Sequence, residues 1–587
     1  MKRKIIFSIA TILLIFAFTI AVLSIRNDST TMDEVAHLPG GYSYVTQQDM
    51  RINPEHPPLI KDFAGIPLLF IDGISFPDHI KAWREEVNGQ WEFGYHFLYH
   101  SGNPVDKMVF WGRIPMIMIM VLLGYYVFRW SRELFNDKTA LLALFLFCLS
   151  PTILAHTRLV TTDVGAAAGA FIGLYYFVKF LKNSSNVNLV KAGIALGLAE
   201  LAKFSLILLF PTIGLLVIAW AAAKSFYFKQ FLKVFIRYAL QTALIVVICF
   251  LVIWAVYQFH TLNYPPERQV SDTAYNLSTF GSEIAVNTVI WSADKPILRP
   301  LSQYFHGLLM VLQRVSGGNT TYFLGQVSRT SWRSYFPIVY LIKEPLALHI
   351  LSIIALLYAV WFIKKPFWQK PIKRIRDWLS LHIAEFAMLL FVLVYWATSL
   401  SGNLNLGVRH LLPVIPFTIV LVSAMIIKWL KPPFVKLKKT FLVLLLIWQA
   451  VSVVAVYPHF LAYFNELVGG PNNGHIYAVD SNLDWGQDLR RLKDWTEKNE
   501  INEIYIDYFG GGQPKYYFGE KYKPWWGTRN PNEMPKGSYL AVSATFLQGG
   551  QGKPVEGFDQ DYGYYNWLNN HELVEKIGYS IFVFYID

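Results

Sequence analysis

Long apolar runs, broken by short polar turns and by three longer polar stretches, set the pattern of this chain. Crossing the ~30 Å hydrocarbon core of a bilayer takes about 20 helical residues at 1.5 Å each. Ten blocks meet or approach that length: 5–25, 108–128, 139–155, 164–181, 204–222, 236–257, 344–363, 382–399, 410–427 and 440–457. An eleventh, 188–201 (NLVKAGIALGLAEL), is short but rich in small residues, as suits a helix buried among others. The pattern predicts a polytopic α-helical membrane protein with about 11 transmembrane helices. The first block follows MKRK and ends in Ser24-Ile25-Arg26-Asn27-Asp28 with no small-residue cleavage site, so it reads as a retained helix rather than a signal peptide.

The three polar stretches are 26–107, 258–343 and 458–587, all rich in Trp, Tyr, Pro and Gly. Within the first, the apolar stretch from Leu59 to Ile71 predicts helix lying in the membrane interface. The division is then a transmembrane module, 1–457, and a small C-terminal α/β domain, 458–587. In that tail, residues 475–481, 503–509, 538–544 and 580–586 read as strands, and 483–498 as a helix with Asp484 near its start.

Composition agrees with this pattern, and charge orients it. Of 587 residues 54% are hydrophobic and 16% charged, against roughly 25% charged in soluble domains. The net charge of +12 could point to nucleic acid, but its placement argues otherwise. With Met1 cytoplasmic, the segments 1–4, 129–138, 182–191, 224–237, 364–376 and 428–439 fall inside and hold 23 Lys and Arg. The three short connections on the other face carry one each: Arg158, Lys203 and Arg409. This is the positive-inside rule. It predicts a multi-pass plasma (inner) membrane protein whose three long polar segments, the C-terminal domain included, are extracytoplasmic, and no nucleic-acid partner. Cys148 and Cys249 lie inside apolar blocks and indicate no disulfide framework.

Candidate chemistry gathers on the lightly charged face. Asp33 and Glu34 follow the first block closely, and a desolvated carboxylate at a membrane edge can act as a general base; an interfacial or capping pair is the competing reading. In Asn53-Pro-Glu55-His56-Pro-Pro58 the prolines forbid helix and fix His56 in a turn. Asp163 opens the 164–181 block, where helix capping competes with function. Lys203, Arg409 and Lys343 are cations on a face otherwise poor in them, suited to binding phosphate or to snorkelling. Together they allow displacement at a centre whose leaving group is a membrane-embedded phosphate. A carboxylate would take the proton of the attacking hydroxyl, and Lys and Arg would hold the departing charge.

The run Asp33-Glu34…His37…Gly41-Tyr42-Ser43-Tyr44…Arg51-Ile52-Asn53-Pro54-Glu55-His56-Pro57-Pro58-Leu59 resembles the bacterial branch of the protein O-mannosyltransferase-like family, glycosyltransferase family 39 of the GT-C superfamily. Further matches follow in order at 158–163, 201–204, 322–325, 335–345, 405–413 and 480–489 (DSNLDWGQDL). The resemblance implies a GT-C-type fold and an inverting glycosyltransferase, mannosyltransferase-like. Such an enzyme moves a sugar from a polyprenyl-phosphate donor to an acceptor hydroxyl of a protein, glycan or lipid on the extracytoplasmic face. It implies Asp33 as base with Glu34 beside it, Asp163 as a second acidic residue, Lys203 and Arg409 as phosphate ligands, and His56 in the donor pocket. Glu344 departs from the small or hydroxyl residue expected between Lys343 and Pro345, which weakens a direct role for Lys343. No MIR domain is evident. No obligatory cofactor is implied; a divalent metal is possible but not expected. A transporter or flippase of lipid-linked sugars predicts internal repeats and charges at mid-membrane, neither of which the sequence shows. A catalytically silent assembly scaffold is the other alternative.

Overall fold

The computed structural model describes residues 3–363 and 370–587. Lys364 and Lys365, counted above among the inside cations, lie outside the described residues, as do Met1 and Lys2. Among the described residues, nine helices are long and apolar enough to cross a membrane, from Arg3–Ser24 to Val435–Val456. The chain is a multi-pass membrane protein. Two of the eleven blocks fold as shorter helices. Block 139–155 divides into Asp137–Cys148 and Pro151–His156, because Pro151 lacks an N–H and the Ser150 hydroxyl caps the new start by accepting from Ile153 N at 3.3 Å. Block 188–201 becomes Asn186–Glu200, only 15 residues. Its glycines let it press on the 33-residue helix Phe228–His260: a Cβ on Gly193 would sit 2.6 Å from Ile248, and one on Gly197 2.8 Å from Val252.

The polar stretches add helices Glu34–Gln47, Leu59–Gly65, Pro266–Asn276, Glu283–Ser292 and Arg299–Gly317. The 59–71 stretch is helical, with a 3-10 turn over Ile66–Phe70, and Phe63, Ile66, Leu69 and Phe70 are exposed on it. That apolar face suits a membrane interface.

The tail holds a five-stranded sheet ordered Tyr522–Pro524, Ile504–Asp507, Ser538–Ser543, Ile581–Ile586, Glu572–Ile577. The first two pairings are parallel and the last two antiparallel. Leu489 and Leu492 of helix Leu489–Lys498 pack on it against Ile504, Ile506, Ala541 and Val583. Two expectations fail here. Residues 475–481 form 3-10 turns around one isolated bridge, Phe323 to Ala478, because Pro471 and the left-handed Asp480 (φ 55) interrupt any strand. The helix begins at Leu489 rather than 483, since Gly486 (φ 94) holds left-handed backbone and Asp484 lies before it in the turn. A short strand, Gln326–Ser328, pairs in parallel with Lys553–Pro554, which ties the second polar stretch to the tail.

Candidate active site

The site is assembled where all three polar stretches meet. The N-terminal loop runs beside the turn preceding helix Leu489–Lys498. Ser29 N donates to Gln487 O at 2.9 Å, Met32 N to Trp485 O at 3.0 Å, and Ser29 Oγ to Gly486 O at 2.7 Å. Buried ion pairs lock the same junction. Asp28 takes Arg158 and, at 2.6 Å, Arg491, which also reaches Asp488 at 2.6 Å. Arg158, one of the three exceptional cations, is thus committed to structure.

With the loop held, helix Glu34–Gln47 starts at Asp33, and successive residues point about 100° apart. Asp33 faces Arg409, whose Nη1 donates to Asp33 Oδ2 at 2.8 Å and to Asp163 Oδ2 at 3.3 Å. Lys203 Nζ donates to Asp163 Oδ1 at 2.5 Å. Asp33, Asp163, Lys203 and Arg409, from four distant parts of the chain, therefore form one charge cluster. Asp163 opens helix Asp163–Lys182, where a carboxylate is favoured, but its side chain is spent on the two cations rather than on capping. Donors remain to spare: Lys203 Nζ makes that single hydrogen bond, and Arg409 Nη2 makes none among the described residues.

Arg409 is aimed by its loop. Gly407 has φ 109, and a Cβ there would lie 2.5 Å from Ser481 Oγ, so only glycine fits. Val408 N then donates to Asn482 Oδ1 at 3.0 Å, and the guanidinium lies 4.2 Å from the ring centroid of buried Trp485. Asp480, from the same turn, is a half-buried third carboxylate near Arg409; burial pushes its carboxyl up to about 6, with Arg409 opposing. The 480–489 motif was legible in the sequence, but its contribution to this cluster was not.

His56 lies beside the cluster. Its ring meets that of His37 edge to face at 4.9 Å, and burial holds both imidazoles low, His37 at about 4 and His56 well below its ordinary value, with Lys203 adding to the latter. His37 Nδ1 donates to Val160 O at 3.2 Å. The turn is pinned by buried Lys61, which donates to His56 O at 2.8 Å, Asn53 O at 2.9 Å and Tyr44 Oη at 2.8 Å.

Two expected site residues turn away. Glu34 is fully buried: Arg113 donates to its two oxygens at 2.8 and 2.6 Å, Val160 N at 2.9 Å and Thr31 N at 2.8 Å. That carboxylate holds the loop and has no capacity for substrate. Lys343, expected at the donor phosphate, donates instead to Leu461 O at 2.8 Å and Asn482 O at 2.5 Å, and is 1% exposed. Burial brings its ammonium down to about 7, with Glu344 opposing. Among the described residues no group of three His, Cys, Asp or Glu side chains is arranged to hold a metal ion.

Residues 105–255 match the family model described as dolichyl-phosphate-mannose-protein mannosyltransferase. The S. cerevisiae protein O-mannosyltransferase Pmt1-Pmt2 complex bound to the sugar donor superposes with a TM-score of 0.55 at 14% identity, over 78% of this chain and 90% of that one. This chain has a GT-C-type fold. The apo oligosaccharyltransferase of Archaeoglobus fulgidus gives a TM-score of 0.50 at 12% identity, over 94% of this chain and 71% of that one. ArnT from Cupriavidus metallidurans bound to undecaprenyl phosphate aligns over 98% and 97% of the two chains at 11% identity and a TM-score of 0.44. No curated protein matches this chain by sequence. At these identities the first two superpositions speak to fold alone, and the family match supports a glycosyltransferase reading.

Proposed function

We propose that this chain is a GT-C glycosyltransferase, inverting and mannosyltransferase-like, that moves a sugar from a polyprenyl-phosphate donor to an acceptor hydroxyl at the extracytoplasmic face. The observation that carries the reading is Arg409 lying between Asp33 and Asp163, with Lys203 on the far side of Asp163. A base and two cations with unused donors then share one site at the ends of the spans.

In the proposed step the acceptor hydroxyl gives its proton to Asp33 while its oxygen bonds to the anomeric carbon. On the opposite face of the sugar the bond from that carbon to the phosphate oxygen breaks. The polyprenyl phosphate leaves with the electron pair, its charge taken up by Lys203 and Arg409. Asp163 is a positioning residue that sets the spacing of the two cations, and His56, neutral, lines the donor side. The acceptor is a protein, glycan or lipid hydroxyl.

The test is transfer by the purified full chain in detergent, with radiolabelled polyprenyl-phosphate sugars and nucleotide sugars offered in parallel. Transfer from the lipid phosphate alone, with the anomeric configuration reversed, is the expected result. Transfer from nucleotide sugar, or flipping of lipid-linked sugar in vesicles without transfer, contradicts the reading.

A further inference from the structure

The lysine- and arginine-rich end of the bundle, remote in kind from the acidic cluster, has a built feature of its own. Helix Pro371–Ser401 is not one straight span: His382 departs from helical geometry (φ −116, ψ 30), which sets Pro371–Leu381 apart from the apolar segment after it. Before that kink Ile372, Ile375, Trp378 and Leu381 recur every third residue, and all are exposed, Ile372 at 84%. Lys373, Arg374 and Arg376 lie between them. Exposed apolar side chains with interleaved cations, joined by a kink to a spanning helix, suit a segment lying in the membrane interface.

A second element meets this one. The turn before helix Phe228–His260 presents three consecutive aromatics, Phe226, Tyr227 and Phe228, each more than 70% exposed. Such rings belong at headgroup level. Arg376 lies over Phe226 with its guanidinium carbon 3.6 Å from the ring centroid, so the two elements are in register. Between them opens a cleft of about 450 Å³, lined by Phe226, Lys370, Pro371, Ile372, Lys373 and Arg376. Asp377 takes one Arg376 nitrogen at 3.4 Å and leaves the balance strongly positive.

We propose that this cleft binds the phosphate headgroup of an anionic phospholipid of the surrounding leaflet. Lys370, Lys373 and Arg376 hold the phosphate, and Phe226 and Ile372 lie along the start of the acyl chains. The cations supply the recognition and their place at the ends of two spans supplies the source: a lipid already in the plane of the cleft, not a soluble anion.

The experiment is native mass spectrometry of the purified full chain from micelles doped with equal phosphatidylglycerol and phosphatidylcholine. The wild-type chain is expected to retain phosphatidylglycerol at least about fivefold over phosphatidylcholine, and Lys370→Gln/Lys373→Gln/Arg376→Gln to lose that preference. Lys431→Gln/Lys436→Gln/Lys439→Gln, which removes the same charge from another turn at the basic end, is expected to keep it. Equal retention of the two lipids by the wild type overturns the proposal. So does an undiminished preference in the first variant, an equal loss in the second, or release of phosphatidylglycerol by equimolar inorganic phosphate.

Discussion

Asp33 and Glu34 are adjacent in the chain and lie in opposite electrostatic settings. Glu34 is sealed, at 0% exposure, with both oxygens taken by Arg113 and two backbone N–H groups. Asp33 is 23% exposed and, among the described residues, meets a single side-chain donor, Arg409, itself shared with Asp163. A saturated buried pair has its worth in holding a shape. An open, undersaturated one can exchange a partner for substrate. The division arises because the helix starts between them: one residue of rotation turns one carboxylate into the bundle and leaves the other facing the cluster.

The largest effect that would break this contrast belongs to Arg409. Arg409→Met removes the proposed phosphate ligand and leaves Asp33 and Asp163 without their shared cation, and transfer from a lipid-phosphate donor should fall by about 10³-fold in an initial-rate assay. On the sealed side, Glu34→Gln leaves Arg113 buried without its counter-charge, a change that costs about 3–5 kcal/mol. It should appear as a lowered unfolding temperature and a loss of monodisperse protein in detergent, whatever the substrate.

A third test uses pH. His37 stays neutral in the fold, its pKa lowered to about 4 by burial against an ordinary 6.5. Between those values the unfolded chain binds the extra proton, so stability rises with pH through that window. As pH falls from about 6.5 to about 4 this residue's contribution is lost, up to about 3 kcal/mol. His37→Gln should flatten that part of the stability profile, measured by unfolding at fixed pH steps. A slope unchanged in the variant would remove His37 as its source.

The smallest effect sharpens the aim of Arg409. Trp485→Phe keeps an aromatic floor but weakens the cation–π contact by about 1 kcal/mol, and a few-fold loss of transfer rate is expected. A loss as large as that of Arg409→Met would mean that Trp485 holds the fold rather than the guanidinium.

Much of this arrangement could be read in advance. Length and apolarity located the spans, and because cations are scarce on one face, Lys203 and Arg409 were conspicuous there. What the sequence did not reveal was which partners the fold brings together. Arg113 sits within an apolar block, at 108–128, and nothing nearby in the chain announces that it neutralises Glu34. Lys343 shares the lightly charged face with the other two cations and was set apart only by Glu344 beside it, yet its ammonium lies between two backbone carbonyls. The 475–481 stretch alternates like a strand, but the residues around it impose turn geometry that hydropathy does not register. Asp480 and Trp485 stand in the 480–489 motif, and only long-range packing shows them beside Arg409.

The central claim is that Asp33 takes the acceptor's proton while Glu34 only supports it. Its most direct measurement is the initial rate of labelled-sugar transfer by purified Asp33→Asn, in a preparation whose unfolding temperature matches the wild type. The account predicts a rate about 10³-fold below wild type or lower, with donor binding retained. A rate within tenfold of the wild type contradicts it.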